Sequence, residues 1–167
     1  MGAPLRSALS TRFGTLQLAV DDEGYLVEVL LPNRNHRLAA GGPFSPAAQR
    51  TMAAARTQLE EYFALRRRDF DLPLRPAGSP FERRVWARLC AIPYGTTTSY
   101  GAIANELGLV NGARAVGRAN GANPIAVVIP CHRVIGSDGT LTGYGGGLPL
   151  KTSLLELEGA LAPRLAL

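Results

Sequence analysis

The sequence is sparing with the residues that staple small folds together. It has two cysteines, Cys90 and Cys131, and two histidines, His36 and His132, in 167 residues. Two thiols cannot build the bridged framework of a small secreted domain, and free thiols suit a reducing compartment. Cysteines and histidines this scattered lack the close paired spacing of a zinc site, so no metal is expected. No apolar run reaches the roughly 20 residues that cross a bilayer, and Met1 to Thr11 lacks the apolar centre of a secretion signal. A cytoplasmic protein with no membrane partner is the expectation. The charged share is low at 19%, but the apolar share is 46%, enough for a packed core and against wholesale disorder. Net charge is +5, from 18 basic and 13 acidic residues. That suits an anionic partner such as nucleic acid, and equally a basic enzyme.

Pro76-Ala77-Gly78 is the best internal boundary. Residues 1–75 before it read as a small sheet with one helix. Leu16, Leu18 and Val20 alternate, Asp21-Asp22-Glu23-Gly24 turns the chain, and Val27, Val29 and Leu31 return it, which predicts a hairpin over 13–31. Pro32 to Phe44 reads as a loop, with His36 as a solvated side chain. Ser45-Pro46 predicts a helix start. Its apolar face is Met52, Ala55, Leu59, Tyr62 and Phe63, and Arg66, Arg67 and Arg68 close it, complementing the dipole. Phe70, Leu72 and Leu74 alternate and predict a third strand over 69–75. No catalytic grouping is visible in this part.

Residues 79–167 read as mainly helical. Ser79-Pro80-Phe81-Glu82 is a capping box. The helix behind it aligns Phe81, Val85, Trp86, Leu89 and Ile92, with Cys90 expected to join the core. Thr98 or Ser99 caps the next helix, whose apolar face is Tyr100, Ile103, Ala104 and Leu107. Gly108 ends it, and Asn111 is placed to cap a further helix over 112–122. This is the outline of a helix-turn-helix. The second helix holds three glycines and four alanines, so its intrinsic stability is poor and its surface thin. Such a surface suits tight packing or, with Arg114 and Arg118 on it, a nucleic-acid groove. Ser137-Asp138-Gly139 reads as a turn. A last helix opens at Pro149, is buried by Leu150, Leu154, Leu155 and Leu157, and stops at Gly159. Glu158 in its last turn opposes the dipole, so solvent or a specific partner must hold it. The expected class is α+β: an N-terminal antiparallel sheet with one helix, then a helical domain.

The chemistry concentrates at residues 123–136. Ile125 to Ile129, an uncharged run between Pro124 and Pro130, predicts a buried strand. Cys131-His132-Arg133 follow at once. A thiol beside an imidazole and a guanidinium can be a low-pKa nucleophile. A buried cysteine acting as a small hydrophobe is the plain alternative. Neighbours on an extended chain point apart, so His132 would reach the sulfur through a bend or a water.

Pro-Cys-His-Arg-Val at 130–134 resembles the active-site signature of the methylated-DNA–protein-cysteine methyltransferases, the O6-alkylguanine-DNA alkyltransferases. The likeness takes in Arg114-Ala115-Val116-Gly117, Asn123-Pro124, Gly143-Tyr144-Gly145-Gly146-Gly147 and Leu154-Leu155-Glu156-Leu157-Glu158-Gly159, in the family's order, over residues 79–159. It implies a single, irreversible transfer of an alkyl group from O6 of guanine in duplex DNA to Cys131, with the base flipped out, no cofactor, and a monomeric protein. O4 of thymine is left open as a second target. His132 would take the thiol proton, Glu158 would orient His132, Tyr100 would support the leaving base, and Asn123 would tie the turn before Cys131. DNA contacts would come from Ser99, Ala113, Arg114, Ala115, Gly117 and Arg118, with Arg114 replacing the extruded nucleotide. The carbonyls of Cys131 and Val134, with Ser137, Tyr144 and Gly145, would form the base pocket. The zinc ligands that some members carry in the N-terminal part are absent here.

Three other readings compete. A Cys-His-Glu hydrolase would need an oxyanion hole, and no donors for one stand out. A non-catalytic binder of the alkyltransferase-like type would lack the cysteine. A helix-turn-helix regulator would carry base-reading side chains on its second helix, which here is nearly bare.

Overall fold

The computed structural model describes residues 2–37, 39, 41–142, 144 and 146–161. They gather into two compact units. One holds the chain up to Ala77 together with Pro124–Val128; the other holds Gly78–Asn123 and the chain from Ile129 onward. The class is α+β.

The first unit contains strands β1 (Leu5–Thr11), β2 (Gly14–Val20) and β3 (Leu26–Leu30) and helix α1 (Pro46–Phe63). The sheet is antiparallel in the order β1-β2-β3. The expected hairpin is β2–β3. Its β2 limb is central, and Leu16 to Val20 are all buried. β1 was not expected, since only Leu9 along it is buried and its alternation is faint. The strand expected over 69–75 is a single parallel bridge from Leu74 to Leu26. Pro73 accepts from Leu26 N at 2.8 Å but has no N–H to extend the ladder. α1 starts as expected, with Ser45 Oγ accepting from Ala48 N at 3.0 Å. It stops at Phe63, before the arginines. Leu65 turns left-handed at φ 62°, and Arg66 N reaches back to Glu61 O at 2.8 Å, so the arginines follow a closed helix end.

The run 125–129 is buried as expected but is not a strand. Ile125 makes one parallel bridge to Val29. Val127 then turns at φ 70°, with Val128 N bonding Ala126 O at 2.8 Å. That is a γ-turn of the strained, positive-φ kind, centred on a β-branched residue. Such a conformation costs of order 1–3 kcal/mol and persists only where its surroundings impose it.

The second unit contains α2 (Pro80–Leu89), β4 (Thr98–Ser99), α3 (Tyr100–Glu106), α4 (Ala113–Gly121), a single 3₁₀ turn at Cys131–Arg133, β5 (Val134–Ile135) and α5 (Leu148–Leu157). β4 and β5 pair in parallel. The capping box on α2 is complete: Ser79 Oγ accepts from Glu82 N at 3.1 Å, and Glu82 Oε1 accepts from Ser79 N at 2.9 Å. Val85, Trp86 and Leu89 are buried, and Trp86 Nε1 donates to Ala119 O at 2.8 Å, fastening α2 to α4. Cys90 is exposed rather than core, because the helix ends at Leu89 and the next side chain leaves the apolar stripe. Ser99 caps α3 through Ala102 N at 3.0 Å. Asn111 does not cap α4. It bends left-handed at φ 52° and Gly112 takes the cap position without a side-chain bond. Among the described residues no helix is long and apolar enough to cross a membrane, and no group of three or more His, Cys, Asp or Glu could hold a metal.

Candidate active site

Cys131 is delivered by a second tight turn. Pro130 sits at φ −81° and ψ 62°, and Cys131 N bonds Ile129 O at 2.8 Å. This is the inverse γ-turn, which proline's fixed φ favours. Asn123 Nδ2 donates to the same Ile129 carbonyl at 2.8 Å, tying the segment that follows α4 to the turn. The chain then closes into the 3₁₀ turn, so Cys131, His132 and Arg133 fan out instead of alternating. All three are buried.

His132 Nε2 lies 2.7 Å from Glu158 Oε2. Arg133 grips the same carboxylate, Nε on Oε1 at 2.8 Å and Nη2 on Oε2 at 3.0 Å, and its Nη1 donates to Ile92 O at 2.7 Å. This answers why an acid sits in the last turn of α5 against the dipole. A carboxylate held by a guanidinium only accepts, so Nε2 of His132 carries the proton. His132 Nδ1 is then a lone pair. It is buried and has no hydrogen-bond partner among the described residues. Burial holds the His132 pKa below its ordinary value; Glu158 pulls it up, and Arg133 and Lys151 push it down. The resting imidazole is neutral.

Cys131 is not the low-pKa thiol that its neighbours suggested. Burial pushes its pKa up, and this outweighs the downward pull of Asn123, the nearby Lys151 ammonium and Tyr144. Arg133 does not serve the sulfur, because its guanidinium is spent on Glu158. The cation that does is Lys151 on α5. It is fully buried, with Nζ donating to Val134 O at 2.6 Å and Thr142 O at 3.0 Å and standing 5.9 Å from the Tyr100 ring centre. Burial lowers its pKa to about 8, and Cys131 raises it. A protonated thiol, a neutral imidazole whose Nδ1 has no partner among the described residues, and a buried ammonium bonded to two carbonyls make up the site.

The other expected residues divide. Tyr100 opens α3, and its hydroxyl accepts from Thr142 Oγ1 at 3.2 Å. Tyr144 lies near enough to the thiol to pull its pKa down. Ser137 lies against α3: a carbon added at Gly101 would sit 3.5 Å from its Oγ. Gly145 lies outside the described residues. Cys131 O accepts from Asn120 Nδ2 at 3.3 Å and from Val134 N, and Val134 O accepts from Lys151 Nζ at 2.6 Å. On α4, Ala113, Arg114 and Arg118 are exposed and Ala115 and Gly117 half-buried, while Val116, Ala119 and Asn120 face inward. A carbon added at Gly117 would lie 3.8 Å from the Tyr100 ring. Ser99 is half-buried and occupied as the α3 cap.

Lys151 and Asn120 were missed. Each left a trace in the sequence. Asn120 falls four residues after Val116, and Lys151 three and four before Leu154 and Leu155, so both are polar residues on apolar helical stripes.

A cysteine–histidine–glutamate site beside a helix-turn-helix, in a small α+β protein, defines the class. Residues 80–160 match the family model described as the DNA-binding domain of 6-O-methylguanine DNA methyltransferase. A methylated-DNA–protein-cysteine methyltransferase of Mycobacterium tuberculosis is 51% identical over 132 residues, 79% of this chain and 75% of the relative. One from Methanosarcina barkeri is 56% identical over 104 residues, 62% of this chain and 66% of that one. The solved O6-methylguanine methyltransferase of M. tuberculosis superposes with a TM-score of 0.81 at 41% identity, covering 96% of this chain and 95% of its own. That organism's OGT in complex with DNA gives 0.81 at 42% identity, covering 92% and 91%. The chain belongs to the methylated-DNA–protein-cysteine methyltransferase family.

Proposed function

We propose that this protein repairs DNA by moving an alkyl group from O6 of guanine onto Cys131, once and irreversibly. The target carbon is inaccessible inside a duplex, so the base must leave the stack. The exposed face of α4, bearing Arg114 and Arg118, is the surface offered to DNA, with Ala113, Ala115 and Gly117 keeping it thin and Ser99 at the adjoining cap. Arg114 fills the place of the extruded nucleotide.

The thiol S–H bond breaks as its proton passes through a water to His132 Nδ1. The sulfur attacks the alkyl carbon, an S–C bond forms and the C–O6 bond breaks. Guanine leaves as an anion and takes up a proton, with the Tyr100 hydroxyl donating toward its ring. The carbonyls of Val134 and Cys131 read the exocyclic amine. Ser137 and Tyr144 line the base. The thioether product contains no acidic leaving group, so the protein acts once. No step calls for a cofactor. O4-alkylthymine presents the same alkyl–oxygen bond and is a second substrate by this chemistry.

The observation that carries the reading is the open Nδ1 on His132, next in the chain to a buried thiol and braced by Glu158. Incubation with a duplex containing methylated guanine should raise the intact mass by one methylene in the native chain and leave Cys131→Ala unchanged. An unaltered native mass refutes it, as does turnover of an ester or peptide.

A further inference from the structure

Glu158 does not serve His132 alone. Its two oxygens receive three side-chain hydrogen bonds, and two of them come from Arg133. The fork of a guanidinium matches a carboxylate in this way. The residue is nearly inaccessible, with a third hydrogen bond to Ile92 O.

The charge count gives this arrangement a consequence. If Glu158 faced only His132, the buried carboxylate would need a counter-charge, and the nearest source is a protonated imidazole. The proton would then already sit on Nδ1, and His132 could accept nothing from Cys131. Arg133 supplies the counter-charge instead. We propose that Arg133 is a positioning residue for the alkyl transfer: by neutralising Glu158 it keeps His132 in the proton-accepting state, with its one proton on Nε2. The proposal rests on the alkyl-transfer reading above and adds to it a control on the base.

The charges facing the imidazole come from three places. Glu158 stands at the end of α5, Lys151 lies on the same helix, and Cys131 and Arg133 flank His132 in the 3₁₀ turn. Glu158 alone attracts a proton to His132; Arg133 and Lys151 both repel it. When the S–H proton moves to Nδ1, an imidazolium and a thiolate appear together and the net charge of the group is unchanged. Glu158, already ionised, stabilises the imidazolium without a further proton shift.

The experiment is a pH profile of alkyl transfer to Cys131 for the native chain, Arg133→Gln and Arg133→Lys, with the substrate duplex saturating. A base must be unprotonated to act, so the rate falls as pH drops through the His132 pKa. In Arg133→Gln that acid limb should move up by about one pH unit or more, a tenfold change in proton affinity, and the rate should recover as pH is raised toward 8. Arg133→Lys should lie between. A rate lowered equally at every pH, with the limb in place, overturns the proposal and leaves Arg133 a packing residue. Should Arg133→Gln fail to fold, nitrogen-15 NMR of the native chain decides. With only two histidines, His132 is assigned by its loss in His132→Gln. A neutral ring with its proton on Nε2 at pH 7 is expected; a doubly protonated ring there overturns the proposal. The NMR readout needs no DNA, so failure of alkyl transfer itself is seen separately, as an unaltered mass.

Discussion

Replacing Lys151 by Met tests how the buried thiol is made reactive. Methionine keeps the length of the stem and removes the charge. Moving the ammonium from an ordinary pKa of 10.5 to about 8 corresponds to about 3 kcal/mol opposing the folded state at neutral pH. The sign follows from proton counting. Between pH 8 and 10.5 the unfolded chain holds this proton and the folded chain does not, so the lysine adds stability as pH rises through that window, against the opposite slope from the buried thiol, and native stability measured relative to Lys151→Met should rise there. The variant also strips a donor from Val134 O and Thr142 O, at about 1–3 kcal/mol each if no water replaces it. Loss and relief are of similar size, so stability at pH 7 should change little. Reactivity should not be so forgiving. A cation beside a thiolate lowers its pKa by about 1–3 units, so Lys151→Met should transfer the alkyl group at least about tenfold more slowly at pH 7. Second-order rates from quenched intact-mass time courses between pH 6 and 10, beside urea melts at each pH, measure both effects. The native rate should lose its advantage above pH 8 as the ammonium deprotonates. Native and Lys151→Met rates that coincide at pH 7, or run parallel through pH 9, would refute the role given to this charge.

Two further outcomes are expected. Arg114→Ala should slow repair in duplex DNA by an order of magnitude or more while leaving reaction with free O6-alkylguanine base nearly untouched, because Arg114 sits on the exposed face of α4; equal slowing of both would remove it from base extrusion. Ser79→Ala should destabilise the protein by about 1 kcal/mol through the lost cap on Glu82 N, with Ser79→Gly recovering most of it; a denaturation midpoint unmoved by either change would show the cap to be energetically idle.

The parts of the fold legible in the sequence are those decided locally. Ser45, Ser79 and Ser99 each cap the helix they precede, because a cap needs only a hydroxyl and the next three residues. The run 125–129 shows where that legibility ends. Its apolar character signalled burial, and it is buried, but burial without periodicity does not distinguish a strand from a folded-up turn. Ile125 finds one bridge partner in Val29, and then Val127 reverses the chain. β1 is the converse case, a strand with one buried residue that is defined by its register with β2 and not by its own pattern.

The site divides in the same way. The Cys131–His132 step and Glu158 were readable from motif and resemblance, but the sequence invited the conclusion that adjacent positive charge makes Cys131 a standing thiolate. Adjacency misled twice. Arg133, the nearest cation in sequence, belongs to Glu158, and the cation that reaches the sulfur, Lys151, lies twenty residues on. Burial of a thiolate can raise a pKa by as much as 3–5 units, against about 1–3 for one opposing charge, so depth prevails over a single neighbour. A thiol kept protonated by its surroundings cannot be modified by every passing electrophile. In the proposed mechanism it becomes a nucleophile only when a proton can leave for His132 Nδ1, which has no partner among the described residues, and the negative sulfur finds a cation in place, the part given to the buried Lys151.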